Sequence, residues 1–443
     1  MTALSLDHRH TDMGKVTLAS CLFMGLGHIV YLKQHIKGIL FAMVEILFIT
    51  QIPAVVQRVQ NLITLGNVPG NEGNVQKLHS IFMLIDGVIV LAAVALFLLF
   101  YFISVKSARA AYRTACTAGN LTENRKILAG MAEKAFPLTA LTPAVVLLVF
   151  FVMVPLLFSA LVAFTNYSMP EHIPPKNLSQ WVGLNNFAAM FGGDAAWTGA
   201  LGRVALWTLI WAVLATFTCY AGGMIMAVLL HDRRIRLAPV FRAIFILPYA
   251  VPGVVSMLVW KNLLNGSFGT INKTLLHLGI IGKMSDIPWL SDPMLARATL
   301  IIINLWAGFP YFMMLTTGAM TAISEHIFEA AAIDGASRFQ VFRHVTLPTV
   351  VYQTLPLIIM SFTHNINNFG AIFFLTGGNP VAPDSTTTSA FATDIIVTWI
   401  YKLTITLQKY NFASVLAIMV FLILAPFAIF NFMRTKAFKE GDL

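Results

Sequence analysis

Asn304, Gly308 and Tyr311 stand at i, i+4 and i+7 of one apolar stretch, and Ser361, Asn365 and Asn368 repeat that spacing on the next. On helices, each set forms a single face. Neutral amides and hydroxyls are costly against lipid, so both faces should point into a bundle rather than outward. With Tyr249 they offer hydrogen bonds and aromatic rings, the groups that an uncharged, hydroxyl-rich molecule requires. Asn and Ser also hold helices together inside membranes. Spacing alone leaves the two uses equal.

The elements that must carry these faces are membrane-spanning helices. The 443-residue chain is 58% hydrophobic and 11% charged, with a mean hydropathy of +0.77, whereas a soluble domain carries about 25% charged residues. A spanning helix needs roughly 20 apolar residues, because in hydrocarbon the backbone amides are satisfied only within the helix. Eight windows meet that need: Gly38–Val56, Ser80–Ser104, Leu138–Phe164, Val204–Leu230, Val240–Trp260, Ala298–Met320, Val350–Leu375 and Phe412–Phe432. The expected fold class is therefore all-α, a polytopic membrane protein with about eight transmembrane helices. A further run, Val16–Leu32, is short and contains Gly25, Gly27 and His28. It is expected to be interfacial or re-entrant, not a crossing.

The net charge of +10 is spread between apolar segments and forms no single basic surface. It therefore argues against a nucleic-acid partner and serves as a topology signal, since Lys and Arg are retained on the cytoplasmic side. With Val105–Pro137 inside, the inner connections hold fifteen Lys and Arg and the outer ones ten, which places both termini in the cytoplasm. No small-residue cleavage site follows the polar Met1–Lys15, so no signal peptide is expected. Cys21, Cys116 and Cys219 are too far apart to suggest a disulfide framework or a zinc site. Glu45 and Asp86 fall within early spans, where an acid serves either an ion or proton relay or sits protonated or helix-paired. Neither H-E-x-x-H nor G-x-S-x-G occurs, so no enzyme site is indicated.

One connection between spans carries more order than a tether needs. Ser324–Pro348 reads as two short helices around a glycine. Ile327, Phe328 and Ala331 share one face of the first. Gly335 relieves the backbone, and Ser337 with Gln340 forms an S-x-x-Q capping box that starts the second. Phe339, Phe342 and Val345 make the apolar face of that second helix, and Pro348 is expected to end it. Such amphipathic faces suit either a partner surface or the membrane interface.

The sequence Glu329-Ala330-Ala331, followed by Asp334-Gly335-Ala336 and Leu347-Pro348, resembles the EAA loop of ATP-binding-cassette importer permeases. The resemblance implies a coupling helix that docks in a separate ATP-hydrolysing subunit. Glu329 would anchor it, Ala330 and Ala331 would permit close approach, and Asp334 and Gly335 would form the turn. ATP and magnesium would then belong to the partner, with no cofactor and no catalysis in this chain. The absence of a G-x-x-x-x-G-K-[ST] phosphate loop agrees with that division.

Over Leu138–Leu443 the chain is similar to binding-protein-dependent permeases of the maltose and maltodextrin (MalF) type. Four stretches carry the similarity: Leu247–Pro252, Asn304–Tyr311, Asn365–Phe369 with Leu375–Gly378, and Asp394–Val397. It implies a six-helix importer core at 138–443, with the coupling loop at 324–348, behind an N-terminal membrane extension at 1–137. By position, the cargo site would comprise Tyr249, Asn304, Gly308, Tyr311, Ser361, Asn365 and Asn368. Gly253, Ala307 and His364 stand where the family pattern has serine, leucine and phenylalanine, which would alter hydroxyl contact, volume and stacking; His364 reads equally well as a packed core histidine. The implied partners are a second permease chain, two ATP-binding-cassette subunits, an extracytoplasmic solute-binding protein and an oligosaccharide, in a bacterial cytoplasmic membrane. The outer connection Thr165–Arg203 is too short for a folded domain, which points to a single-membrane bacterium with a lipid-anchored binding protein.

Overall fold

The computed structural model describes residues 12–67, 79–118, 136–174, 176–232, 234–285 and 287–433. Among these the secondary structure is helical, with one isolated antiparallel bridge between Thr165 and Trp181. The inner cations Arg125, Lys126, Lys134, Arg233, Arg434, Lys436 and Lys439 lie outside the described residues. Contacts group the chain into Met1–Val182 and Gly183–Leu443.

The first unit holds α1 (Met13–Leu22), α2 (Leu26–Val30), α3 (His35–Thr64), α4 (Ser80–Ala118), α5 (Phe136–Leu148) and α6 (Val154–Val162), the last two joined by a π-helical turn at Val149–Met153. The helices α1 and α2 have 10 and 5 residues. At 1.5 Å per residue neither approaches the roughly 30 Å of a hydrocarbon core. The break falls at Gly25, whose φ of 82° favours glycine. A Cβ there would lie 2.1 Å from Gly38 O, so the hairpin also needs glycine for its close approach to α3. Glu45, one of the two acids predicted within spans, is buried and accepts the Met24 N–H at this break. A backbone amide, not a basic side chain, is its partner. The loop expected from Val105 is instead helical to Ala118. Its Ala- and Arg-rich sequence favours continuation, and no Gly or Pro intervenes before Gly119.

The second unit holds α7 (Asn185–Ala188), α8 (Ala195–His231), α9 (Ala238–Ala250), α10 (Gly253–Leu263), α11 (Thr270–His277), α12 (Pro293–Thr321), α13 (Glu325–Ile333), α14 (Arg338–Val341), α15 (Leu347–Ile366), α16 (Phe369–Leu375), α17 (Ser385–Thr388), α18 (Ile396–Ile405) and α19 (Tyr410–Met433). Among the described residues, seven helical segments are long and apolar enough to cross a membrane, or eight if the bent pair α9 and α10 makes one span. That pair corrects the straight Val240–Trp260 segment, because its halves meet at 89°. Pro252 has no N–H to donate and drives Val251 out of the helical region, to φ −82° and ψ 134°. The predicted Val350–Leu375 span likewise stops at Ile366, and Asn368 caps a separate α16 by accepting the Ala371 N–H at 3.2 Å.

Helices α8 and α12 form the spine of this unit. Gly223 makes their close approach possible, since a Cβ there would meet Met313 N at 2.6 Å and Phe309 O at 2.7 Å. Two apolar cores lie along the spine. One gathers Trp207, Trp211, Leu300, Ile303, Ile372 and Ile395; the other gathers Met224, Leu230, Met313, Met320 and Val350. Between them the helices carry the polar residues Cys219 and Asn304.

The connection after α16 is held by three cations from three helices. Arg203 on α8 donates to Ala390 O and Phe391 O, each at 2.9 Å, and pairs with Asp384. Arg297 on α12 donates to Ala392 O at 2.7 Å and lies 4.6 Å from the centre of the Trp207 ring. Lys402 on α18 is 2.7 Å from Asp394, which is fully buried. Asp394 also accepts the Phe391 N–H at 2.7 Å and the Thr398 hydroxyl at 2.9 Å.

Candidate functional site

The helical turns between the two cores line a half-open cavity of about 330 Å³, formed by Tyr249, Asn304, Gly308, Tyr311, Ser361, His364, Asn365 and Asn368 together with Cys219, Phe312, Leu357 and Met360. Helical period brings the first group together: α12 supplies Asn304, Gly308 and Tyr311, α15 supplies Ser361, His364 and Asn365, and Asn368 follows as the N-cap of α16. Tyr249 comes from the last turn of α9. Gly253 and Ala307 do not line this cavity. Ala307 packs against the core around Trp211, and an added Cβ on Gly253 would meet nothing within 4 Å.

The two uses left open by spacing fall on different atoms. Asn365 is buried and works as an internal fastener: its Nδ2 donates to Thr216 Oγ1 at 3.0 Å, its backbone O accepts from Trp211 Nε1 at 3.1 Å, and its Oδ1 accepts from Asn368 Nδ2 at 3.3 Å. Asn368 Oδ1 caps α16. The Asn304 side-chain oxygen and the polar groups of Ser361, His364, Tyr249 and Tyr311 have no hydrogen-bond partner among the described residues. His364 is exposed on the cavity wall and is not a core histidine. The Tyr249 and Tyr311 rings are stacked, with centroids 6.1 Å apart and 29° between planes. The wall thus combines apolar ring surface with unengaged neutral donors and acceptors, a pattern suited to alternating C–H and O–H groups. No Asp, Glu, Lys or Arg lines it. Among the described residues no cluster of three His, Cys, Asp or Glu could hold a metal.

Phe312, Leu357 and Met360 carry no polar signal in the sequence, although Leu357 extends the Ser361 face backward by one turn. Cys219 had no such signal, because it comes from α8 and shares no spacing with either face.

The predicted coupling residues lie together on a separate connection, away from the cavity. Helix α13 carries Glu329, Ala330 and Ala331. At its end Ala336 N–H bonds to Ala331 O at 3.0 Å, with Gly335 at φ 72°, a Schellman-type stop that requires the left-handed residue after Asp334. The capping box is formed: Ser337 Oγ accepts the Gln340 N–H, and Gln340 Oε1 accepts the Ser337 N–H. Pro348 does not end this second helix. A π-helical turn over Phe342–Thr346, in which Leu347 N–H reaches Phe342 O, resets the ladder where the proline lacks a donor, so α14 runs on into α15.

Phe328 and Phe342 turn inward against the core around Met320. Ile327, Ile333 and Phe339 remain 47%, 86% and 67% exposed, which is much apolar surface for one short connection. Glu329 is exposed beside His326, 3.2 Å away. Arg338 reaches Asp232 at the end of α8 at 2.8 Å. The Arg234 backbone N–H, followed by the Arg338 guanidinium, holds the Asp232 carboxyl below its ordinary range.

The family model for "binding-protein-dependent transport system inner membrane component" matches residues 220–436, which include most of the cavity and all of the predicted coupling residues. The galactooligosaccharides transport system permease protein GanP of Bacillus subtilis is 35% identical over 435 residues, covering 96% of this chain and 99% of that protein. The maltodextrin transport system permease protein MdxF of the same organism is 34% identical, with 95% of each chain covered. A solved bacterial alginate ABC transporter, in complex with alginate pentasaccharide-bound periplasmic protein, shares the fold over 70% of this chain and 97% of its own, with a TM-score of 0.56 at 19% identity.

Proposed function

Because the chain belongs to the family of binding-protein-dependent transport system inner membrane components, we propose that it is the sugar-conducting permease subunit of an ATP-driven importer and that its cargo is an uncharged, maltodextrin-like oligosaccharide. The observation that carries the cargo is the cavity wall: stacked tyrosines beside unengaged neutral hydroxyl and amide groups, with no charged side chain. An anionic cargo such as a glycerol phosphate would call for Arg or Lys at this wall. Both maltodextrin and galactooligosaccharide permeases are relatives at almost equal identity, so galactooligosaccharide is the second reading.

The proposed assembly adds a second permease chain, two ATP-binding-cassette subunits and an extracytoplasmic solute-binding protein, in a bacterial cytoplasmic membrane with both termini inside. The ATPase docks on the Glu325–Val341 connection, where Glu329 and the exposed Ile327, Ile333 and Phe339 supply a charged anchor and an apolar contact. Closure of the ATPase subunits moves this connection. Through α15 and the Arg338–Asp232 link to α8, the motion reaches the helices that wall the cavity, which then opens to alternate sides. Hydrolysis resets it.

The test is uptake into proteoliposomes holding the importer with its partner chains, using binding protein loaded in turn with maltotriose, a galactotriose and glycerol 3-phosphate. ATP-dependent uptake of maltotriose is expected, with little of glycerol 3-phosphate. Preferred uptake of galactotriose would establish the second reading. Uptake that follows an ion gradient and ignores ATP would refute the importer mechanism.

A further inference from the structure

Helix α8 contributes one side chain to the cavity wall, Cys219, and its sulfur meets two residues of the neighbouring helix. Its thiol donates to Asn304 O at 3.4 Å, while Asn304 Nδ2 donates to the sulfur at 3.3 Å. The first contact commits the thiol proton to a backbone carbonyl, so the sulfur presents only lone pairs to the carboxamide. That chooses the NH2 group as the side facing Cys219 and leaves the Asn304 oxygen for the cavity. The second meeting is steric. A Cβ added to Gly308 would come within 2.8 Å of the Cys219 sulfur but 3.6 Å from its Cβ. The sulfur therefore occupies the space that glycine leaves open, and the two together set the depth of the wall. One turn earlier on the same helix, Thr216 receives Asn365 Nδ2. The Thr216–Cys219 face thus aligns the amides of both cavity helices.

We propose that Cys219 is a positioning and specificity-determining residue for cargo. It orients the Asn304 carboxamide and, with Gly308, fixes how bulky a sugar unit the wall accepts. The inference rests on the proposed cargo reading and adds to it a residue whose own chemistry makes no covalent step.

The experiment uses the reconstituted importer with its partner chains and binding protein loaded with maltose, maltotriose or maltopentaose. Stimulated ATP hydrolysis, uptake and the thermal midpoint are measured for each variant. Cys219→Ser keeps a donor and an acceptor and should preserve the wild-type ratio of maltose to maltopentaose transport. Cys219→Ala should change the ratio of maltose to maltopentaose transport about threefold or more, with an unchanged midpoint, because the amide loses its orienting contact and the wall deepens. Gly308→Ala should lower uptake of all three about tenfold through the clash with sulfur. The double variant Cys219→Ala, Gly308→Ala should recover to near the level of Cys219→Ala alone. An unchanged ratio of maltose to maltopentaose transport in Cys219→Ala, or a double variant no better than Gly308→Ala, overturns the proposal. A wild-type importer that responds to none of the sugars instead removes the cargo reading on which it rests.

Discussion

Two of the long connections of the second unit have opposite finishes. The one after α16 turns its polar groups inward: Arg203, Arg297 and Lys402 bind its carbonyls and carboxylates, and Gly378 leaves no room for a Cβ between Asp394 and Lys402. The one between α12 and α15 keeps Ile323, Phe328 and Phe342 against its own core and leaves Ile333 and Phe339 uncovered. The first connection is fastened by its own chain and leaves Val381 as the large apolar side chain it exposes. The second has the surface of half an interface. Order alone therefore does not distinguish the two connections, since both are ordered; the amount of uncovered apolar surface does.

The largest effect is expected where the finished connection is broken. Lys402→Met leaves Asp394 buried without its cation and should cost about 3–5 kcal/mol of stability, whereas Asp394→Leu with Lys402→Met should recover most of it. Unfolding of the solubilised complex reads both. A single variant as stable as wild type would mean that the clamp holds nothing.

The open connection should respond in activity, not in stability. Glu329→Arg is exposed, so its midpoint should stay within about 0.5 kcal/mol of wild type, while sugar-stimulated ATP hydrolysis should fall about tenfold or more, as loss of a charged anchor at a docking interface would give. Full hydrolysis and transport in this variant would place the docking elsewhere.

Arg338→Gln should have the smallest effect. The pair with Asp232 is exposed and solvent-screened. Because the folded-state Asp232 carboxyl lies below its unfolded value, its contribution is present above the unfolded value and fades as pH falls through the folded one. A slight difference in midpoint between wild type and Arg338→Gln at neutral pH should begin to shrink near about pH 4 and vanish only once the pH has fallen through the lower folded-state value. A difference that grew in acid would contradict this sign.

The comparison also separates what the sequence made legible from what it did not. The Asn304 and Ser361 faces were readable because helical period is local, and the capping box at Ser337 because it spans four residues. Cys219 was not, since its contact with Asn304 joins residues 85 apart. The bend at Val251 was present in Pro252, but an apolar run scores alike whether straight or folded by 89°. In the sequence Arg203, Arg297 and Lys402 read as ordinary charges at the ends of apolar segments, whereas packing makes all three fasteners of one loop. Pro348 misled in the opposite direction, because a π-helical turn absorbs a missing donor that ordinary helix geometry does not.

The broken hairpin of α1 and α2 has a consequence for inheritance. Two helices too short to cross add mass without adding a crossing, so the count that decides which way each later loop faces stays even or odd as it was. A lineage can lengthen, shorten or discard such a segment without turning the rest of the permease inside out.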